Sequence, residues 1–327
     1  MSGISEFELI DQLLKPLTNG ISGAFALSDD AATLGSLGAG QVHVVTKDAL
    51  AVGVHMLADD PPGDIARKAL RVNLSDLAAM GAIPSGFFMA LCLGQDTNEK
   101  FIRGFVRGLA KDSIRFEIPL LGGDVVRHSG PFLVTITAVG TATEVELLRR
   151  SGAQIGDGLW VSGSIGDSAL GLLAATDKLQ IVSDQYRSDL IQRYRVPKPR
   201  IALGQALAGV ANACIDISDG LIADVGHLCS ESGLMCHLNA DNIPLSSQVR
   251  SVISFEPSLL STIMNGGDDY ELAFAVSGGH EDTLKRIAKS LDVQITKIGL
   301  FCEGKGVEVV GENCASIAIA RNGYQHL

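Results

Sequence analysis

One helical stretch constrains this chain more than any other, because it places a carboxylate among apolar residues. Residues 68–81 read KALRVNLSDLAAMG, and their apolar side chains recur at helical spacing. Asn73 and Asp76 stand three residues apart, so they share one face of the predicted helix. A carboxylate that is buried without a partner carries a high free-energy cost. Asp76 therefore requires a cation, a set of N–H donors or a metal ion.

Further acidic residues stand at the ends of other apolar segments. Residues 215–221 read IDISDGL, which echoes the NLSDL of the helix, and residues 266–272 read GGDDYEL, which echoes the GGD of residues 122–124. The acids placed in this way are Asp29, Asp30, Asp48, Asp76, Asp124, Asp216 and Asp219. Each of them alone fits a helix cap or a turn former. Together they would repel one another and an anionic substrate, unless bound cations offset their charge.

This group of acids predicts a metal site that carries a nucleotide. Mg²⁺ prefers hard oxygen ligands and commonly bridges carboxylates to phosphates. The glycine pairs at residues 122–123 and 266–267 suit a backbone that approaches a phosphate, although each pair also fits a tight turn. His55 is interpreted as a site residue, with a half-exposed strand histidine as the alternative. Arg150 fits either a phosphate contact or a surface charge.

Composition and motifs argue against several classes of function. Lys and Arg together count 26 against 37 Asp and Glu, a net charge of −11, which argues against sequence-independent nucleic-acid binding. The chain has no P-loop, no Gly-x-Gly-x-x-Gly after a strand, no Gly-x-Ser-x-Gly elbow and no His/Cys cluster for zinc. Lys198 and Arg200 are interpreted as solvated charges. Any chemistry must therefore rest on the acids.

The cysteines and the apolar runs indicate where the protein is located. The six cysteines form no Cys-x-x-Cys pair, which is typical of reduced, buried thiols in a cytosolic protein. The first turn is acidic, the wrong sign for a signal peptide, and no apolar run approaches the roughly 18 residues needed to span a bilayer. We expect a soluble cytoplasmic protein that does not associate with membranes.

Strands and helices alternate along the chain, which predicts an α/β (α+β) fold with a mixed layer in each half. The length of 327 residues allows one large domain or two, and a polar segment at residues 143–156 marks a boundary. We place an N-terminal metal- and nucleotide-binding domain, which also forms a dimer, at residues 1–145. A C-terminal α/β domain follows at residues 146–327.

The strands predicted in the N-terminal half favour a homodimer. They cover residues 42–46, 87–93 and 132–142, are apolar on both faces and are too few to close a barrel alone. Pairing with a second copy of the chain would remove their exposed edges.

Taken together, residues 68–82, 215–221 and 266–272 resemble the thiamine-monophosphate kinase family, which belongs to the aminoimidazole-ribonucleotide synthetase superfamily. The resemblance runs from Phe7 to Tyr324. It also includes the RSGA of residues 150–153 and the GDSA of residues 166–169.

This resemblance implies transfer of the γ-phosphate of ATP to thiamine monophosphate, giving thiamine diphosphate and ADP, with several Mg²⁺ ions. It implies a homodimer whose N-terminal domains share a β-barrel, with a C-terminal α/β domain beside it. The matching metal ligands are Asp30, Thr46, Asp48, Asp76, Asp124, Asp216 and Asp219. The matching ATP contacts are Gly123, Asp124, Arg150 and Ser218, and the matching contacts to the thiamine phosphate are His55 and Asp268. No side chain is assigned as a general base, because the acceptor phosphate is already an anion.

Four positions depart from the family pattern: Ser28 replaces a glycine, Lys47 a threonine, Asp268 a glutamate, and Arg321 an aromatic residue of the tail. We predict that Lys47 points into the acid cluster and takes over part of the charge of one metal ion. The alternative is that strand alternation turns Lys47 to solvent. Two alternatives to the kinase activity also stay open: another ATP-using enzyme of the same superfamily, and a nucleotide-binding homologue without turnover.

Overall fold

The computed structural model describes residues 22–38, 40–180 and 183–311, together with Asp11, Gln12 and Lys15. Most of the helix expected at residues 6–17, the strand expected at 316–320 and the tail position Arg321 lie outside the described residues. The described residues form two sheets with helices packed against them, so the expected α/β fold class is confirmed.

The N-terminal sheet has five strands in the order β1-β2-β5-β3-β4. The strands are β1 (Ala32–Gly38), β2 (Gln41–Ala51), β3 (Ile83–Leu93), β4 (Leu120–Arg127) and β5 (Leu133–Thr143). Only β3 and β4 run parallel, and the other pairs are antiparallel. Residues along β2 and β5 alternate between buried and partly exposed positions, which is the pattern of a sheet with one face on the core. Helices α1 (Pro62–Ala79) and α2 (Glu99–Arg115) belong to that core.

The first glycine pair, at residues 122–123, lies in a strand and not in a turn. Both residues belong to β4. A Cβ atom on Gly123 would lie 1.9 Å from the Met89 carbonyl oxygen, so close packing of β4 on β3 explains that glycine.

The C-terminal sheet has six strands in the order β11-β8-β10-β6-β9-β7. The strands are β6 (Gly158–Ser162), β7 (Ala213–Asp216), β8 (Met235–Asn239), β9 (Leu272–Val276), β10 (Ile295–Cys302) and β11 (Gly306–Val310). The helices are α3 (Asp167–Ala175), α4 (Asp184–Arg195), α5 (Ile201–Leu207), α6 (Leu221–Ser232), α7 (Ser247–Phe255), α8 (Leu260–Asn265) and α9 (Glu281–Leu291). Sequence analysis missed β9 and four of these helices, α4, α7, α8 and α9. None of the helices within the described ranges has the length and hydropathy to cross a bilayer.

Helix α1 packs against both halves of the chain. From Lys68 to Met80 every residue except Asp76 is buried, which confirms the largely buried helix expected from the sequence. Ala78 and Ala79 at its C-terminal end share a hydrophobic cluster with residues of α5 and β9. A Cβ atom on Gly204 would lie 1.9 Å from the Ala78 carbonyl oxygen, so α1 and α5 cross at close range. The helix therefore fixes the N-terminal sheet relative to the C-terminal sheet.

Candidate active site

Three carboxylates from distant segments meet beside helix α1. Asp30 precedes β1, Asp76 lies on α1, and Asp216 ends β7; one oxygen atom of each lies within 4.8 Å of the others. Two hydroxyl groups orient them: Ser75 Oγ donates to Asp216 Oδ2 at 2.6 Å, and Thr46 Oγ1 donates to Asp76 Oδ2 at 2.5 Å. Asp48 lies next to the three, with its backbone N–H donating to Asn73 Oδ1.

The charges in this cluster repel one another strongly. Burial raises the pKa of Asp76 well above its usual value, and the charges of Asp48, Asp216 and Asp30 raise it further. Burial, with Asp30 and Asp219, raises the pKa of Asp48 to about 6. Burial and Asp30 likewise raise the pKa of Asp216. Positive charge nearby favours ionisation of such carboxylates, and a bound cation would supply it.

Asp30 offers a free oxygen to such a cation. Its Oδ1 accepts from Arg150 Nη2 at 2.6 Å, whereas the buried Oδ2 has no hydrogen-bond partner among the described residues. The neighbouring Asp29 accepts from the Arg149 side chain and from the Arg150 backbone N–H. Buried polar atoms are normally paired, so the Asp30 oxygen fits a metal ligand. Arg150 is 22 % exposed and is therefore not the surface charge considered as its alternative.

A cavity of about 990 Å³ opens beside the cluster and is lined by residues from both halves of the chain. Its volume lies at the upper end of the range that is usual for small-molecule sites. The predicted site residues that line it are Asp48, His55, Arg150, Ser218, Asp219 and Asp268. The second glycine pair, at residues 266–267, also lines it.

The structure places Gly123 and Asp124 away from the cavity. Both are exposed on β4, the edge strand of the N-terminal sheet, and neither lines the cavity. Asp124 Oδ1 accepts from the Val125 backbone N–H at 2.8 Å. Within one chain, these two residues are therefore not brought to the other predicted ligands.

The prediction that Lys47 points into the acid cluster is wrong. Thr46 and Asp48 face α1, so strand alternation turns Lys47 to the opposite face of the sheet. Its side chain is exposed, and Nζ donates to Thr135 Oγ1 at 2.8 Å and to Thr137 Oγ1 at 3.3 Å. Lys47 contributes no charge to the site.

Sequence reasoning missed Lys68 and Tyr194, which also line the cavity. Lys68 Nζ donates to Asp268 Oδ2 at 3.0 Å and to the His55 carbonyl oxygen at 2.9 Å. The same ammonium lies 4.1 Å from the centroid of the Tyr194 ring. The signal was present, because Lys68 is a charged residue inside the apolar helix pattern, and the argument applied to Asp76 applies to it equally.

Two other buried carboxylates have structural partners that the sequence did not indicate. Asp224 Oδ2 accepts the backbone N–H groups of Asp219 and Gly220, and this holds the turn that carries the second acid motif. Glu271 accepts two hydrogen bonds from Arg200 and one from Arg193. Arg200 is therefore part of a buried ion pair, and its interpretation as a solvated charge is wrong.

Comparison with known proteins gives matches along most of the chain. The family described as AIR synthase related protein, N-terminal domain, matches residues 28–142, and the corresponding C-terminal domain family matches residues 154–312. A protein named thiamine-monophosphate kinase from Caulobacter vibrioides is 39 % identical over 98 % of this chain and 91 % of its own length.

Two solved structures that match most of this chain share its fold. The crystal structure of thiamine-monophosphate kinase from Stenotrophomonas maltophilia K279a is 36 % identical, has a TM-score of 0.78, and covers 95 % of this chain and 98 % of its own. A structure described as AaThiL complexed with AMPPCP and TMP is 28 % identical, has a TM-score of 0.87, and covers 100 % of this chain and 98 % of its own.

Proposed function

The chain belongs to the thiamine-monophosphate kinase family of AIR synthase related proteins, and from that premise we propose that it transfers the γ-phosphate of ATP to thiamine monophosphate. An oxygen of the thiamine phosphate bonds to the γ-phosphorus while the bond from that phosphorus to the β-phosphate oxygen breaks. The products are thiamine diphosphate and ADP. The observation that carries the proposal is the acid cluster beside the cavity, because its carboxylates can hold the metal ions that bind a nucleotide's phosphates. The relative described with AMPPCP and TMP shares this fold, which supports the same proposal.

The carboxylates of the cluster fit magnesium ions. They present several hard oxygen ligands in a small volume, and one of them, Asp30 Oδ2, is buried with no hydrogen-bond partner in the described part of the chain. We assign Asp30, Asp48, Asp76 and Asp216 to the ions, with Thr46 and Asp219 beside them. Bound Mg²⁺ supplies positive charge to the phosphate oxygens during transfer.

The chain's own residues position the two substrates. Arg150 projects a guanidinium to the edge of the acid cluster, where it suits the phosphates of ATP, and Ser218 lines the same part of the cavity. His55 and Asp268 lie beside Lys68 and are assigned to the thiamine phosphate. Phosphoryl transfer depends on positioning and charge more than on a protein nucleophile, so no general base is required.

A homodimer is part of the proposal. The edge strand β4 exposes Leu120, Leu121, Val125 and Val126, each at least 47 % accessible. Exposed apolar edges of this kind are covered in most proteins, and a second copy of the chain would cover them. Gly123 and Asp124 lie on this edge, so their predicted roles require that the edge of one protomer reaches the cavity of the other. The boundary between the two domains at residues 145–146 stays a prediction, and so does the cytoplasmic location.

A coupled assay of ADP release tests the proposed function. We expect release that depends on both thiamine monophosphate and Mg²⁺, with thiamine diphosphate formed in equal amount. ADP release that requires a different acceptor would indicate another ATP-using enzyme of the superfamily. ATP binding without any release would indicate a nucleotide-binding homologue, and either result would overturn the proposal.

A further inference from the structure

The buried lysine of helix α1 links the two halves of the cavity wall. The Lys68 side chain is 2 % exposed, and an ammonium group buried to that extent is costly unless it is paired. Its contacts are the His55 carbonyl oxygen, Asp268 Oδ2 and the face of the Tyr194 ring. These partners come from three segments: the loop after β2, the loop before β9, and helix α4. One side chain therefore holds three separate parts of the cavity wall.

The loop that carries Asp268 has a conformation that needs outside support. Asp268 and Tyr270 have φ angles of 70° and 50°, the left-handed region that favours glycine. Their backbone N–H groups donate to the Ser218 and Ile217 carbonyl oxygens, each at 2.8 Å. These bonds hold the loop to the C-terminal half alone. Among the described residues, the Lys68–Asp268 ion pair is the hydrogen bond that joins the Asp268 side chain to α1 in the N-terminal half.

Lysine and arginine side chains along the cavity are paired with carboxylates. Among its described lining residues, the lysine and arginine side chains are those of Lys15, Lys68 and Arg150. Lys15 pairs with Asp11, and Arg150 pairs with Asp30 at the acid cluster. Lys68 precedes Asp76 by eight residues on α1, about 12 Å along the helix axis, and it compensates Asp268. Without Lys68, the Asp268 carboxylate would repel a phosphate monoester that binds beside it.

We infer that Lys68 is a positioning residue of the acceptor site: it fixes Asp268 against the His55 segment and compensates its charge, so that a phosphate monoester can bind there. The inference rests on the proposed function, since that function assigns thiamine monophosphate to this part of the cavity. It predicts that loss of the lysine charge harms binding of the acceptor and leaves binding of ATP largely unchanged.

Steady-state kinetics of the full-length protein test this inference. Lys68→Met should raise the KM for thiamine monophosphate by about tenfold or more and change the KM for ATP by less than about twofold. Lys68→Met combined with Asp268→Asn should have a lower KM for thiamine monophosphate than Lys68→Met alone, because the asparagine side chain can still hydrogen-bond the substrate and the uncompensated charge is gone. A purely structural lysine would not show this rescue. Lys285→Met, on the exposed face of α9, is the matched control and should behave as the unmodified protein.

Two further measurements keep the test decisive. If Lys68→Met does not fold, Lys68→Arg keeps the charge but displaces it, and it should raise the KM for thiamine monophosphate selectively. Hydrogen exchange of residues 266–272, measured without substrates, should be faster in the folded Lys68 variant than in the unmodified protein. Equal rises in both KM values, absence of the rescue, or unchanged exchange would each overturn the inference. Faster exchange in a protein that does not phosphorylate thiamine monophosphate would overturn the proposed function and leave the role of Lys68 in holding the loop.

Discussion

Asp76 has a charge that folding does not require. It is partly buried, accepts a hydrogen bond from Thr46 Oγ1, and is repelled by the neighbouring carboxylates of Asp48 and Asp216. With no cation bound, its ionised form therefore opposes the folded state. With a cation bound, the same charge becomes a ligand, which is why the residue is expected to matter for activity and not for stability.

Asp76→Asn should abolish Mg²⁺-dependent turnover, with a loss of about 100-fold or more, and leave the fold intact. The melting temperature measured without Mg²⁺ should stay equal or rise, because one source of repulsion is removed, while the increase caused by added Mg²⁺ should shrink. Asp64→Asn, in the first turn of the same helix, is the control. Near-normal turnover of the Asp76 variant at ordinary Mg²⁺ would mean that the site is misplaced.

At the scale of elements, α1 and α2 are joined by a buried ion pair. Arg71 donates to Asp112 through Nε at 2.5 Å and through Nη2 at 2.8 Å, and its Nη1 donates to the Pro197 carbonyl oxygen at 2.7 Å. Arg71 is 3 % exposed and Asp112 is fully buried. The pair therefore fixes the two helices against each other and against the segment that leads into α5.

Asp112→Asn should destabilise the protein by about 3 kcal/mol or more, because it leaves the Arg71 charge buried without its carboxylate. Urea unfolding measures the free-energy change. On the same helix, Glu99 and Arg103 form an ion pair whose side chains are 76 % and 69 % exposed. Glu99→Gln breaks that pair and should cost no more than about 0.5 kcal/mol. Similar losses for both variants would show that burial does not decide the strength of these pairs.

At the scale of the whole molecule, two sets of predicted ligands lie apart. Asp30, Asp76 and Asp216 meet beside the cavity, whereas Asp124 is exposed on the edge strand β4 among apolar side chains. A homodimer that covers this edge accounts for both observations if Asp124 of one protomer serves the cavity of its partner.

Mixing two inactive variants tests that arrangement. Asp76→Asn and Asp124→Asn should each be inactive alone, and mixed under conditions that allow subunit exchange they should recover about one quarter of full activity. The reason is that half of the dimers would be mixed, and each of those would contain one intact site. No recovery, although sedimentation shows mixed dimers, would place Asp124 in the same chain's site. A monomer at micromolar concentration would exclude the dimer itself.

Local patterns were enough to predict the parts of this protein that depend on nearby residues. These parts are the helix around Asp76, the acid motifs at residues 215–221 and 266–272, and the strands at residues 42–46 and 132–142. Each of them depends only on residues that are close in sequence. Their periodicity depends on local geometry alone. A separate argument, the shared need of the acids for bound cations, predicted a common site for Asp76 and Asp216. Side-chain alternation along β2 also predicts the correct orientation of Lys47. Thr46 and Asp48 were both expected at the site, so the residue between them must point to the opposite face of the sheet.

Tertiary packing determines which distant groups meet. Lys68 and Asp268 are separated by 200 positions, and Glu271 finds its arginine partners 71 and 78 positions away. Such pairings depend on how α1 and the two sheets pack, and no spacing in the sequence records them. The same holds for Asp124, which shares its Gly-Gly-Asp motif with the loop at residues 266–268 but lies on an exposed edge. A short motif determines which functional groups lie together in sequence. Long-range packing determines which other side chains those groups contact.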